Sequence, residues 1–272
     1  MVKIRMNLWL GALLLCLTPV GQAEMLFSEA AASAHGGHQP SAHAAHGRGG
    51  AGPQLQDSAG ASLALFTPTL ERLPVDTPAE DGVLKLPRTG VDYYHLLLAE
   101  RHTGKVHEAA LRYIVGRGKP SGHSPSELLA VDKTALEIVP QPLPREHWRY
   151  ESAEPVAFRV RFNGTPLADT WVGLSTSNGS QLEGTTDANG MVRFDLPDDF
   201  TRVVPGRDAN PGAEFVVRTG TVANDMLYRT NLSAAYYVNP RHWQSTQVGL
   251  FMLGAGFISG LIVMRRGRRA TV

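Results

Sequence analysis

The stretch AHGGHQPSAHAAHG, residues 34–47, sets His35, His38, His43 and His46 at spacings of three, five and three. Neutral imidazole suits divalent nickel, cobalt, copper and zinc, and a short His-rich tract reads by composition as metal binding. The Gly and Ala between the rings let them converge. Ordering such a segment costs conformational entropy, so the expected binding is weak and promiscuous, on the order of micromolar, and tightest for copper by the usual affinity order. A second group, His95, His102 and His107 with Glu100, falls in one predicted hairpin, and His123 lies in the loop after it. These eight histidines are the candidate metal ligands. The bland alternatives are a His-enriched linker for the first group and ordinary solvated residues near a turn for the second.

Other chemistries find less support. The lone cysteine, Cys16, lies in an apolar run near the N-terminus. Removal of that run would leave no thiolate and no disulfide, so His, Asp, Glu or backbone groups would have to hold any metal. The chain carries no HExxH, no GxSxG and no phosphate-cradling Gly loop. We therefore expect no enzyme, no catalytic residues and no organic cofactor. TTDANG at residues 185–190 fails as a calcium loop. Counted from Thr185, the first position is not acidic, and Leu196 stands where a bidentate Glu is required. It reads as a β-turn at Asp187–Gly190. Lys plus Arg total 26 against 25 Asp plus Glu, which gives no electrostatic case for nucleic acid.

The two ends place these groups relative to a membrane. Lys3 and Arg5, the apolar run Leu8–Leu17 and the small residues before Glu24 read as a secretory signal over residues 1–23, cleaved after Ala23. Thr246–Met264 is 19 uncharged residues. As a helix it would reach about 28 Å, close to a bilayer core. Arg265, Arg266, Arg268 and Arg269 follow, so the tail 265–272 is expected in the cytoplasm and the bulk of the chain outside it. Gly256 and Gly260 make a GxxxG pair suited to close packing against a partner helix. The expected localisation is single-pass in the cytoplasmic (inner) membrane, with the soluble part in the periplasm or outside.

Between the ends, residues 24–62 are rich in Ala, Gly, Ser, His and Gln and are expected to be a disordered His-rich tail. From Leu63 the pattern becomes strands broken by turns. VDYYHLLLAERHTGKVHEAALRYIV predicts a hairpin turning at Thr103-Gly104, with Tyr94, Leu96, Leu98, Leu111 and Tyr113 on its buried face and Glu100 opposite His107. Residues 136–139 make a short strand, and the Pro-rich stretch 140–148 marks a domain boundary. In EPVAFRVRF, Val156, Phe158, Val160 and Phe162 point one way and Arg159 and Arg161 the other. Further strands are expected at 171–176, at Val192–Leu196, at 214–219 and at 226–238. The reading is mainly β: a small β module at 63–140, an antiparallel β-sandwich at 141–239, and one transmembrane helix at 246–264.

Three stretches carry a family resemblance: LEIVP at Leu136–Pro140, PVAFRVRFNGTPLA at Pro155–Ala168, and TDANGMVRF at Thr186–Phe194. Together they resemble the extracytoplasmic family described as the nickel-uptake substrate-specific transmembrane region. Two of these pieces also occur in transthyretin-like sandwiches. The resemblance implies an Ig-like or transthyretin-like β-sandwich that serves nickel or cobalt import. The early His-Asp-aromatic element usual in that family is missing after Ala23, and the His-rich stretch stands in its place. The expected function is a membrane-anchored accessory that captures a transition metal and hands it to a transporter permease, contacted through the Gly-rich helix. The alternative is a structural module that binds protein or glycan at the membrane.

Overall fold

The computed structural model describes residues 24–29, 52–76, 83–144, 149–206 and 209–244, together with residues 253, 256, 257 and 259. The expected signal at 1–23, the first four histidines, the tail 265–272 and most of the helix at 246–264 lie outside the described residues. Leu253, Gly256, Phe257 and Ser259 are helical. Among the described residues no helix is long and apolar enough to cross a membrane.

The protein is built of strands. In chain order they are β1 (Leu26–Glu29), β2 (Pro53–Gln56), β3 (Ser62–Phe66), β4 (Arg72–Val75), β5 (Tyr93–Thr103), β6 (Val106–Gly116), β7 (Leu136–Pro140), β8 (Tyr150–Glu151), β9 (Pro155–Phe162), β10 (Thr165–Pro166), β11 (Trp171–Thr176), β12 (Gln181–Thr185), β13 (Met191–Asp195), β14 (Ala213–Ala223) and β15 (Met226–Tyr237). One short helix, α1 (Pro125–Ala130), interrupts them.

The large sheet runs β12-β11-β14-β15-β6-β5-β3-β4, with β8 beside the end of β15. A four-stranded sheet of β7, β9, β10 and β13 packs on one face of it. Alternation dictates this layer. Val156, Phe158 and Val160 of β9 and Val192 and Phe194 of β13 meet Leu96, Leu98, Leu111, Phe215 and Tyr236 of the large sheet in one buried core. The hairpin face read from the sequence is the face that packs here, with Tyr94, Leu96, Leu98 and Leu111 buried and Tyr113 against them.

The other face of the large sheet is buried in part as well. Leu97, Ala99 and Ala110 pack with Met25 and Phe27 of the β1 stretch, Leu55 of β2, and Leu63 and Leu65 of β3. This is why β5 reads as a continuous apolar run and not as a strict alternation: it is covered on both sides.

Three expectations are corrected. Residues 24–62 are not disordered throughout, because 24–29 and 52–62 are placed and β1 pairs antiparallel with β2, Glu29 opposite Pro53. The apolar side chains Met25, Phe27 and Leu55 supply the burial that the surrounding Ala, Gly and His cannot. The boundary near residue 140 does not divide the core. β7 pairs with β9, β6 with β15, and a single cluster runs from Tyr94 to Tyr236. The sheets are not wholly antiparallel, since β15 pairs parallel with both β6 and β8. On the opposite face of β9, Arg161 is buried against Glu137, Nη2 to Oε2 2.7 Å, while Lys133 Nζ lies 3.0 Å from Glu137 Oε1. Arg161 also donates to the carbonyls of Ala130 and Val131, which fixes the end of α1.

Candidate functional site

The hairpin of β5 and β6 turns at Gly104-Lys105, one residue later than the sequence suggested, with Thr103 paired to Val106. Gly104 sits at φ +57 in the first loop position, where a two-residue hairpin turn needs a positive φ and glycine supplies it without strain. The shift pairs Glu100 with Ala109 and sets His102 directly opposite His107.

His102 and His107 stack with centroids 4.2 Å apart and planes 30° apart. His107 is buried, and its Nε2 lies 3.4 Å from Glu100 Oε1. Its Nδ1 is buried with no hydrogen-bond partner among the described residues. Burial would raise the Glu100 carboxyl, but the contact with His107 and the charges of His107 and Arg72 help to outweigh it and hold the carboxyl below its ordinary value. Near-parallel rings do not aim two lone pairs at one point, and among the described residues no three His, Cys, Asp or Glu side chains form a group that could hold a metal ion.

The other two described candidates stand apart from this pair and from each other. His95 is buried, with Nε2 2.9 Å from Thr89 Oγ1 and Nδ1 3.0 Å from the Tyr93 carbonyl. His123 lies 2.7 Å from Glu127, whose other oxygen accepts from the Ser124 N–H in the capping box of α1. His35, His38, His43 and His46 lie outside the described residues.

A serine, an aspartate and a histidine also meet near the end of the sandwich. Ser152 Oγ donates to Asp198 Oδ1 at 3.1 Å, and His242 Nε2 lies 3.0 Å from Asp198 Oδ2. The carboxylate stands between the other two. Among the described residues no imidazole is thus set to take the Ser152 hydroxyl proton, as a nucleophilic serine requires. Ser152 accepts from the Asn239 N–H instead, and the group ties the end of β15 to the second sheet.

The site with room for a ligand is at a fork in the large sheet. β6 and β15 run parallel and pair from Val106–Leu227 to Arg112–Ser233. Beyond that rung they part. β6 continues along β5 to Gly116, while the end of β15 takes β8, with Tyr236 opposite Tyr150. Burial falls on both strands where the pairing stops: residues 113–116 of β6 and Ala234 and Ala235 of β15 are half-buried.

The gap is a cleft of about 160 Å³. Its inner wall is apolar and aromatic, made of Tyr94, Tyr113, Tyr150, Leu143 and Pro144. Its outer wall is polar, made of Glu29, Arg112, Ser233 and Tyr237. Arg112 is buried and held by Glu214 at 2.9 Å, Glu29 at 3.3 Å and Ser233 Oγ at 3.2 Å. The Tyr94 hydroxyl donates to the Pro144 carbonyl at 2.9 Å. Burial pushes the hydroxyls of Tyr94 and Tyr150 well above the usual phenol range, so both stay protonated. Small side chains at Ala234 and Ala235 leave the space open.

Sequence reasoning placed Tyr94 and Tyr113 on the buried face but missed the cleft. Periodicity assigns a residue to a face and does not say which strand lies beside it.

No protein-family model matches the chain, and no curated protein does. Among solved structures the chain is similar to one described as a Ca2+-stabilized adhesin that helps an Antarctic bacterium reach out and bind ice. The identity is 15% and the TM-score 0.25, over 71% of this chain and 42% of that one. The chain thus matches less than half the length of that adhesin, and a likeness so slight carries no argument about what this protein binds.

Proposed function

We propose that this protein is a non-enzymatic interaction module. In this reading an Ig-like or transthyretin-like sandwich is held outside the cytoplasm by one helix at 246–264, and it binds a macromolecular partner in the cleft between β6 and β15. The observation that carries the reading is the cleft itself. It is concave, walled by tyrosines on one side and by Arg112 with its two Glu partners on the other, and set on two strands of the central sheet. Aromatic and Arg side chains in a preformed concavity are what tight binding sites use.

The test fills the cleft. Ala235→Phe replaces a small side chain at the fork with a ring. Ligands selected on the full chain from a glycan array and from a displayed peptide library should bind that variant about tenfold more weakly or worse, with its unfolding transition still cooperative. If nothing selected on the unmodified chain distinguishes it from the variant, the module reading fails.

A second reading is metal capture, nickel or cobalt by resemblance, for delivery to a permease met through the Gly-rich helix. The His-rich sequence between β1 and β2, with its four histidines at spacings of three, five and three, is what favours it.

A further inference from the structure

We infer that the occupant of the cleft is an extended polypeptide segment that adds as a strand to the free edge of β6. This rests on the reading of the cleft as the binding site and names its ligand. The argument begins at the hairpin turn. A two-residue loop makes Thr103 and Val106 a hydrogen-bonded pair. Alternate residues of β6 then exchange bonds with β5, ending at Ile114 opposite His95 and Gly116 opposite Tyr93. The residues between them, from His107 to Val115, turn their N–H and C=O the other way, toward β15. Through Arg112 that edge is occupied by the parallel ladder. At Val115 no described residue occupies it, because β15 has turned its own edge to β8, where the Ser152 N–H donates to the Tyr237 carbonyl at 2.8 Å.

Val115 therefore offers a donor and an acceptor inside the cleft that it lines, at the end of a sheet strand. An open main-chain donor and acceptor at the edge of a sheet strand can take the main chain of another segment.

The walls add a rule for the side chains. A strand laid along β6 points successive residues to opposite faces. One would meet Tyr94, Leu143 and Tyr150, the next Arg112, Glu29 and Ser233. The bound segment should alternate an apolar or aromatic residue with a polar or charged one. Arg112 is met by two carboxylates, Glu29 and Glu214, so this wall carries one excess negative charge and favours a basic residue over an acidic one.

The experiment uses the full chain and a displayed library of random peptides as the probe. Without ligand, the Val115 amide should exchange with solvent faster than the Ile114 amide, and a selected peptide should slow it. Val115→Pro removes the donor without touching the β5 ladder and should weaken selected peptides about tenfold or more. Val115→Thr keeps the donor and should not. N-methylation of the peptide at the matching residue should reproduce the loss on unaltered protein, which covers the case in which the proline variant misfolds. Equal protection of Val115 and Ile114 in the free chain would overturn the inference. So would peptides indifferent to both Val115→Pro and N-methylation, or glycans as the only ligands sensitive to Ala235→Phe. In those last two outcomes the cleft is still a binding site. Loss of all sensitivity to Ala235→Phe removes that reading instead.

Discussion

His95 shows how a residue type that suggests ligation can be used for packing. Its two nitrogens are taken by Thr89 and by the Tyr93 carbonyl, and a Cβ on Gly116 would lie 2.4 Å from its Cε1. Burial lowers its pKa, against the smaller opposing effects of the Tyr93 carbonyl and Asp92. The folded chain therefore binds this proton less readily than the unfolded chain, in which the imidazole titrates near about 6.5. Stability from His95 is complete above that value and is lost as the pH falls from it toward the lower folded value. His95→Gln should cost about 1–2 kcal/mol at pH 7 through its hydrogen bonds and should flatten the decline of the urea midpoint below pH 6.5 (about the unfolded-state value). A decline as steep as in the unmodified chain would show that another group carries it. His123 makes the same point from the surface: it braces Glu127 of a capping box, a role its loop position in the sequence did not signal.

At the scale of elements, alternation was the legible part. EPVAFRVRF and MVRFD form where their period-2 pattern puts them, and the strands expected at 214–219 and 226–238 form as β14, which runs on to Ala223, and β15. What was not legible is what lies across each edge. The β6–β15 pairing joins strands more than a hundred residues apart, and no local pattern encodes its parallel sense. The face of Arg161 was legible and its burial was not, because its partner Glu137 sits on β7, across a register that only the fold sets. Turn chemistry lies between these cases. Gly104 fixed the β5–β6 register by its φ, whereas Asn224 and Asp225 close β14–β15 with φ +51 and +58. Two positive values make the turn a type I′ loop, for which Asn-Gly is preferred. Asp225→Gly should relieve the left-handed strain at the second position and stabilise the protein by about 0.5 kcal/mol. Urea melts of the two chains decide it, and a lower midpoint for the variant would mean that the Asp225 side chain does more than tolerate the turn.

On the scale of the whole molecule, the pairing of β1 with β2 changes what the His-rich segment is. Glu29 and Pro53 are opposite each other, so residues 30–52 join two strands that are pinned to the outer face of the large sheet through Met25, Phe27 and Leu55. In sequence, His35, His38, His43 and His46 fall between these two paired strands and not before the first of them. Closure by folding removes part of the entropy that gathering four imidazoles would otherwise cost. It also links metal binding to folding. A free tail would bind nickel equally in folded and unfolded chains and leave stability unchanged, whereas a closed loop binds better when β1 and β2 are paired. Nickel at about 100 times its dissociation constant should then raise the unfolding free energy toward the limit of about 2.7 kcal/mol set by binding to the folded state alone. Replacing the four histidines with Ala should abolish the increase, while His102→Ala should leave it in place. Nickel that binds in calorimetry without moving the unfolding midpoint would mean that the segment behaves as a tail despite its fixed ends. A shift that survives the fourfold replacement but not His102→Ala would place the metal at the stacked pair beside Glu100.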